Sequence, residues 1–193
     1  MSVLIDYIGS FLMSGVLFFI VLTLNENVRT TTIARNLDLI SQEAASNSLQ
    51  ILEDDLYKLG YRASGNPLVK ADSLAIIFKA DLNDDGLPDS VQYSVGDTLQ
   101  LKRTTNPKDR PLYRQVNKGL KNNVVSGIVQ FKISYLDSAG GSIPYNLLLQ
   151  QSYRSMVRTI GLNYRVEPSD PITSTETPVF VRKIIRPKNI NGW

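Results

Sequence analysis

An almost unbroken apolar run opens the chain. From Val3 to Leu24, the residues Leu4, Ile5, Tyr7, Ile8, Phe11, Leu12, Met13, Val16, Leu17, Phe18, Phe19, Ile20, Val21, Leu22 and Leu24 are relieved only by Asp6 and by the small or weakly polar Gly9, Ser10, Ser14, Gly15 and Thr23. As a helix, about 22 such positions cross a hydrocarbon core of roughly 30 Å. The segment lacks the charged n-region and small-x-small cleavage site of a secretory signal, so a retained anchor is expected. Downstream the pattern changes rather than stops. Asn25 to Leu59 holds neither proline nor glycine, and Ile33, Leu37, Ile40, Ala44, Ile51, Leu52, Leu56 and Leu59 return at steps of three and four, an apolar stripe on one helix face. Gly60 is a natural stop. Residues 1–61 are therefore expected to be one long helix, membrane-spanning over 3–24 and amphipathic over 25–59, about 85 Å from end to end.

Beyond it, residues 62–193 are one domain's worth of chain. Apolar and β-branched runs recur at Ser73–Ala80, Ser90–Val95, Thr98–Arg103, Leu112–Val116, Val124–Leu136, Arg154–Glu167 and Val179–Ile185. Turn formers separate them, among them Asn83-Asp84-Asp85-Gly86, Val95-Gly96-Asp97, Asn106-Pro107 and Asp137 to Gly141, so an antiparallel meander is expected. Within the longest run, alternation places Val129, Phe131, Ile133 and Tyr135 on one strand face and Gln130, Lys132 and Ser134 on the other. The fold class expected is α+β, with the second half of the helix as the spine on which the sheet packs.

A carboxylate in an apolar span costs about 2.5–3.5 kcal/mol at its centre, less near an interface. If Met1 is removed, as a small second residue such as Ser2 permits, Asp6 becomes the fifth residue of the mature chain. The run Ser2-Val3-Leu4-Ile5-Asp6, followed by an aliphatic stretch and a long helix, resembles the mature N-terminus of type IV pilins and type II secretion pseudopilins. In order and spacing, "DDLYKLGYRA", "LAIIFKADLNDDGLPDSVQYSV", "LQLKR", "LYRQV", "VVSGIVQFKISYLDSAGG" and "RSMVRTIGLNYRV" are similar to the larger minor pilins of the PilW type and the J-class minor pseudopilins. This sequence carries aspartate where that family usually has glutamate, and a basic leader ending in glycine is missing.

The resemblance implies a pilin-like fold and a structural filament subunit. Asp6 would neutralise the N-terminal amine of a neighbour beginning at Ser2, and Leu4, Ile5, Ile8, Phe11, Leu12, Val16, Phe19 and Ile20 would form the filament-core helix. Its partners would be copies of itself or other pilin-like subunits, an inner-membrane assembly platform, and the lipid bilayer before assembly. The chain would pass once through the inner membrane and later stand in a periplasmic or extracellular filament. Arg29 and Arg35 follow the span and no basic residue precedes it, so the positive-inside rule mildly favours a cytoplasmic head. The resemblance implies the opposite orientation, which is adopted.

Candidate chemistry is confined to one loop. Asp81, Asn83, Asp85 and Asp89 fall at positions 1, 3, 5 and 9 of an EF-hand-like calcium loop, with Gly86 at position 6. Position 12 is Gln92, which supplies no bidentate carboxylate, and strands rather than helices are expected on either side. A hairpin turn with local Asp and Asn hydrogen bonds fits the same residues. The chain has no histidine and no cysteine, which removes the commonest general base, the thiol nucleophile and nearly every zinc constellation; no enzyme is expected. The net charge of +3 is mild. Lys102, Arg103, Lys108, Arg110, Arg114, Lys118 and Lys121, with Arg182, Lys183, Arg186 and Lys188, read as a solvated face or as ion pairs to neighbouring subunits before they read as a nucleic-acid site. Glu167 to Pro178 reads as a polar, proline-punctuated loop that no disulfide can pin. The alternative to a filament subunit is a monomeric, single-pass membrane-anchored module whose acidic loop binds calcium or a partner.

Overall fold

The computed structural model describes residues 2–101, 106–167 and 178–190. Helix α1 runs from Ser2 to Tyr57 without interruption. After it come strands β1 (Leu68–Ala71), β2 (Ala75–Ala80), β3 (Asp89–Val95), β4 (Arg110–Val116) and β5 (Asn122–Leu136), a one-turn helix α2 (Gln151–Arg154), then β6 (Thr159–Val166) and β7 (Val179–Ile185). The chain forms two compact units, Met1–Ile40 and Ser41–Trp193. Their boundary falls inside α1, because only the later part of that helix contributes to the domain core.

In the second unit the seven described strands lie in sequence order, each antiparallel to the next. Such a meander needs only short connections, which is what the turn residues between the apolar runs supply. Leu49, Leu52, Leu56 and Leu59 belong to one core cluster with Ile76, Phe78, Val91, Tyr93, Leu112, Ile133, Tyr135, Ile160 and Leu162 from the sheet. The fold is thus α+β, a long N-terminal helix and an antiparallel sheet. The spacing of Leu49, Leu52 and Leu56 puts them on one side of α1, with Leu59 just past its end, whereas Ile51 and Ile33, also expected in the stripe, are exposed. Leu37, Ile40 and Ala44 lie outside the residues whose side chains are described.

Four details differ from the pattern read along the chain. Strand β1 was not expected: it is four residues long, too short for periodicity to mark. Thr98–Leu101 forms a 3-10 turn instead of a strand, and nothing in this stretch alternates buried with exposed positions; Lys102 and Arg103 lie outside the described residues. Arg154–Glu167 begins as α2, and its strand starts only at Thr159. In β5, a register shift between Ile128 and Gln130 buries Ile128 and leaves Val129 only half-buried. A β-bulge inserts one residue and so inverts the alternation upstream of it, while Phe131, Ile133 and Tyr135 keep the buried face.

Candidate functional site

Two regions carry functional expectations. The first is the apolar half of α1. Val3–Ile33 is long and apolar enough to cross a membrane, and none of its described side chains in the most apolar stretch is buried. Leu4, Ile5, Ile8, Phe11, Leu12, Val16, Phe19 and Ile20 are all exposed. Leaving such a side chain in water forgoes about 1.5–3 kcal/mol, so a helix apolar on every side requires a lipid or protein surround. Two of its hydroxyls are satisfied within the helix: Thr23 Oγ1 donates to the carbonyls of Phe19 and Ile20, and Ser10 Oγ to that of Tyr7. Back-bonding of this kind lets hydroxyls enter a medium without water. Asp6 is exposed on α1 and makes no side-chain hydrogen bond or ion pair with another described residue. Ser2 is the first residue of the helix.

The second region is the β2–β3 connection, residues 81–88. Four hydrogen bonds tie residues 58–62, just past α1, to the end of β2 and to this connection. Gly60 N donates to the Lys79 carbonyl at 2.9 Å and Asp81 N to that of Tyr61 at 3.0 Å. Lys58 Nζ donates to the Leu82 carbonyl at 3.0 Å, and Arg62 Nη1 to Asp81 Oδ2 at 2.9 Å. Asp81 is fully buried. Its Oδ2 also accepts the Gly86 amide at 2.8 Å, while Oδ1 is buried with no hydrogen-bond partner. Burial by itself would raise the carboxyl's pKa, but the hydrogen bonds from Arg62, Gly86 and the Asp84 amide, with the Arg62 charge, hold it below the ordinary carboxylate value.

The remaining loop ligands are partly spoken for. Asp85 Oδ1 accepts the Leu87 amide at 2.8 Å and Oδ2 the Asn83 side-chain amide at 2.9 Å. Asp89 turns to its own hairpin and to the next one: Oδ2 accepts the Leu82 amide and Oδ1 the side-chain amide of Asn117. Gln92, at position 12, sits within β3 between Ile77 and Gln115. Among the described residues no three or more of His, Cys, Asp and Glu gather into a metal-holding group. Any cation here would therefore be held by two acids with Asn83, main-chain oxygen and water.

No family model matches the chain, and no curated protein matches it.

A second polar cluster has no counterpart among the sequence expectations. Asp55 is buried, and its Oδ2 accepts the Tyr93 hydroxyl at 2.6 Å and Arg114 Nε at 2.7 Å. Tyr93 and Arg114 face each other across the β3–β4 pair, so one carboxylate pins the helix over two strands. Hydrogen bonding to Asp55 raises the Arg114 pKa further, and Arg114 is paired within the domain at partial burial rather than standing free on a solvated basic face. A second such tie joins Lys183 on β7 to Glu53 at 3.3 Å. A signal for Asp55 existed: it lies three residues after Leu52 and beside Leu56, an acid inside the apolar stripe.

Proposed function

We propose that this chain is a structural subunit of a type IV pilus-like or pseudopilus filament, anchored in the inner membrane by α1 before assembly and polymerised through the same helix. The reading rests chiefly on the first half of α1, which is apolar on all sides and carries one charge, Asp6, between Val3 and Leu24. Lipid, and then a bundle of identical helices, are successive surroundings that such a surface tolerates. In the bundle, Asp6 pairs with the amine of a neighbour processed to Ser2, and that pairing offsets much of the cost of burying each charge. Leu4, Ile5, Ile8, Phe11, Leu12, Val16, Phe19 and Ile20 pack against equivalent helices. Partners are copies of this chain or other pilin-like subunits, with an inner-membrane platform, and the product is a periplasmic or extracellular filament.

Asp6→Asn keeps the size and removes the charge. Membrane fractionation of the variant should match wild type, whereas the yield of sheared filaments should fall about tenfold or more, the loss expected when a buried charge keeps no partner. A wild-type yield would remove Asp6 from assembly. Mass spectrometry of the sheared fraction supplies the second check, with filament-borne chain expected to begin at Ser2. Complete retention of the chain in the membrane fraction would instead support the monomeric anchored module.

A further inference from the structure

The β2–β3 loop contains a buried oxygen that no protein group satisfies. Asp81 is closed off from solvent, its Oδ2 is shared by the Arg62 guanidinium and the Gly86 amide, and its Oδ1 is left without a partner. A buried polar atom in this condition keeps an unrecovered desolvation cost, larger when the group is charged, and Arg62 answers only the other oxygen. Asp81 opens the series Asp81, Asn83, Asp85 at alternate positions, and Gly86 turns the chain at φ +90° where the sixth position of a calcium loop turns. The glycine amide engages one oxygen of the first carboxylate, and the other is left as a buried acceptor without a hydrogen-bond partner, an oxygen that a hard cation can take.

We propose that this loop binds one calcium ion, with Asp81 Oδ1 as the buried ligand and Asn83, Asp85 and the Leu87 carbonyl completing the protein side. Calcium takes six to eight oxygens in a flexible shell, so waters supply the remainder. Magnesium, which demands near-ideal octahedral geometry and dehydrates reluctantly, is a poor fit to this set. Arg62 remains on Oδ2 and keeps Asp81 ionised. With Asp89 engaged elsewhere and no acid at Gln92, the affinity belongs with the weak, extracellular class, on the order of 10⁻⁴–10⁻³ M. The inference is independent of filament assembly.

The full chain in detergent micelles would be titrated with calcium chloride and, separately, magnesium chloride by calorimetry, with hydrogen exchange at residues 83–87 as a second readout. One saturable calcium event with slowed exchange in the loop is expected, with magnesium at least about tenfold weaker. Asp85→Asn lies on an exposed turn and leaves the fold intact; it should weaken calcium about tenfold, whereas Asp137→Asn, an acid in a different turn, should not. Asp81→Asn tests the buried ligand directly, with circular dichroism to establish that the variant folds. Absence of a saturable calcium event in wild type overturns the proposal, as does calcium binding that Asp85→Asn leaves unchanged.

Discussion

At Asp55 a single carboxylate decides how a helix and a sheet meet. It is 8 % exposed and receives both a phenol and a guanidinium, so removing it strands a buried hydroxyl and a half-buried guanidinium. Removing one partner of a buried charge pair typically costs about 3–5 kcal/mol. Arg114 retains 25 % side-chain exposure, so water relieves part of the loss and the lower end of that range is expected for Asp55→Ala. Arg114→Ala leaves the buried Asp55 carboxylate with the Tyr93 hydroxyl but no opposite charge, so a comparable loss of about 3 kcal/mol is expected. Thermal denaturation of the full chain in detergent measures both, and wild-type melting of Asp55→Ala would show that the cluster carries no stability. The acid itself was legible as an intrusion in the apolar stripe. Its partners were not, because Tyr93 and Arg114 lie in separate strands, and nothing local says which residues face each other across a pair.

Elements followed the hydrophobic pattern where their period was long and failed where they were short or irregular. Val179–Ile185 was read with its observed limits and α1 nearly so, since both carry sustained signals. The four residues of β1 and the bulge in β5 did not, because a bulge depends on the partner strand's register rather than on local composition. Gly60 shows a stop signal with a tertiary reason behind it. Its backbone sits at φ +85° and a Cβ there would collide with the main-chain oxygen of Asn189. Left-handed backbone costs a non-glycine residue about 1–2 kcal/mol, and a clash with main chain cannot be relieved by rotating a side chain. Gly60→Ala should therefore destabilise by about 2 kcal/mol or more, whereas Gly65→Ala, with no atom near its Cβ, should cost only the backbone share. Comparing the two in urea unfolding separates the contributions.

For the molecule as a whole, the buried tyrosines set an alkaline limit. Burial, and then the nearby Glu53 carboxylate, push the Tyr164 phenol from 10.0 up to about 12. Burial also raises Tyr93, with Asp55 adding to it, and Tyr135. Folded values above the unfolded value mean that the unfolded chain loses these protons first. Stability is whole below the unfolded value of 10.0 and falls as pH rises, for Tyr164 until about 12. A pH series should give declining melting temperatures above 10.0, with phenolate absorbance of these residues rising only as the domain opens. Normal ionisation of all the tyrosines in a still-folded chain would contradict that burial.

The sequence alone determined the features that depend on neighbours along the chain: a helix of membrane-crossing length, its amphipathic continuation, turn positions, and the α+β class. These follow from the number and period of apolar residues, which fix what must leave water. Tertiary structure decided what depends on residues far apart. It ordered the seven described strands, committed Arg114 to Asp55, turned Asp89 toward Asn117, and left Oδ1 of Asp81 buried beside an arginine that bonds only its twin. Pairings of that kind arise from strand register and from where the ends of separate elements meet, and no local pattern encodes either.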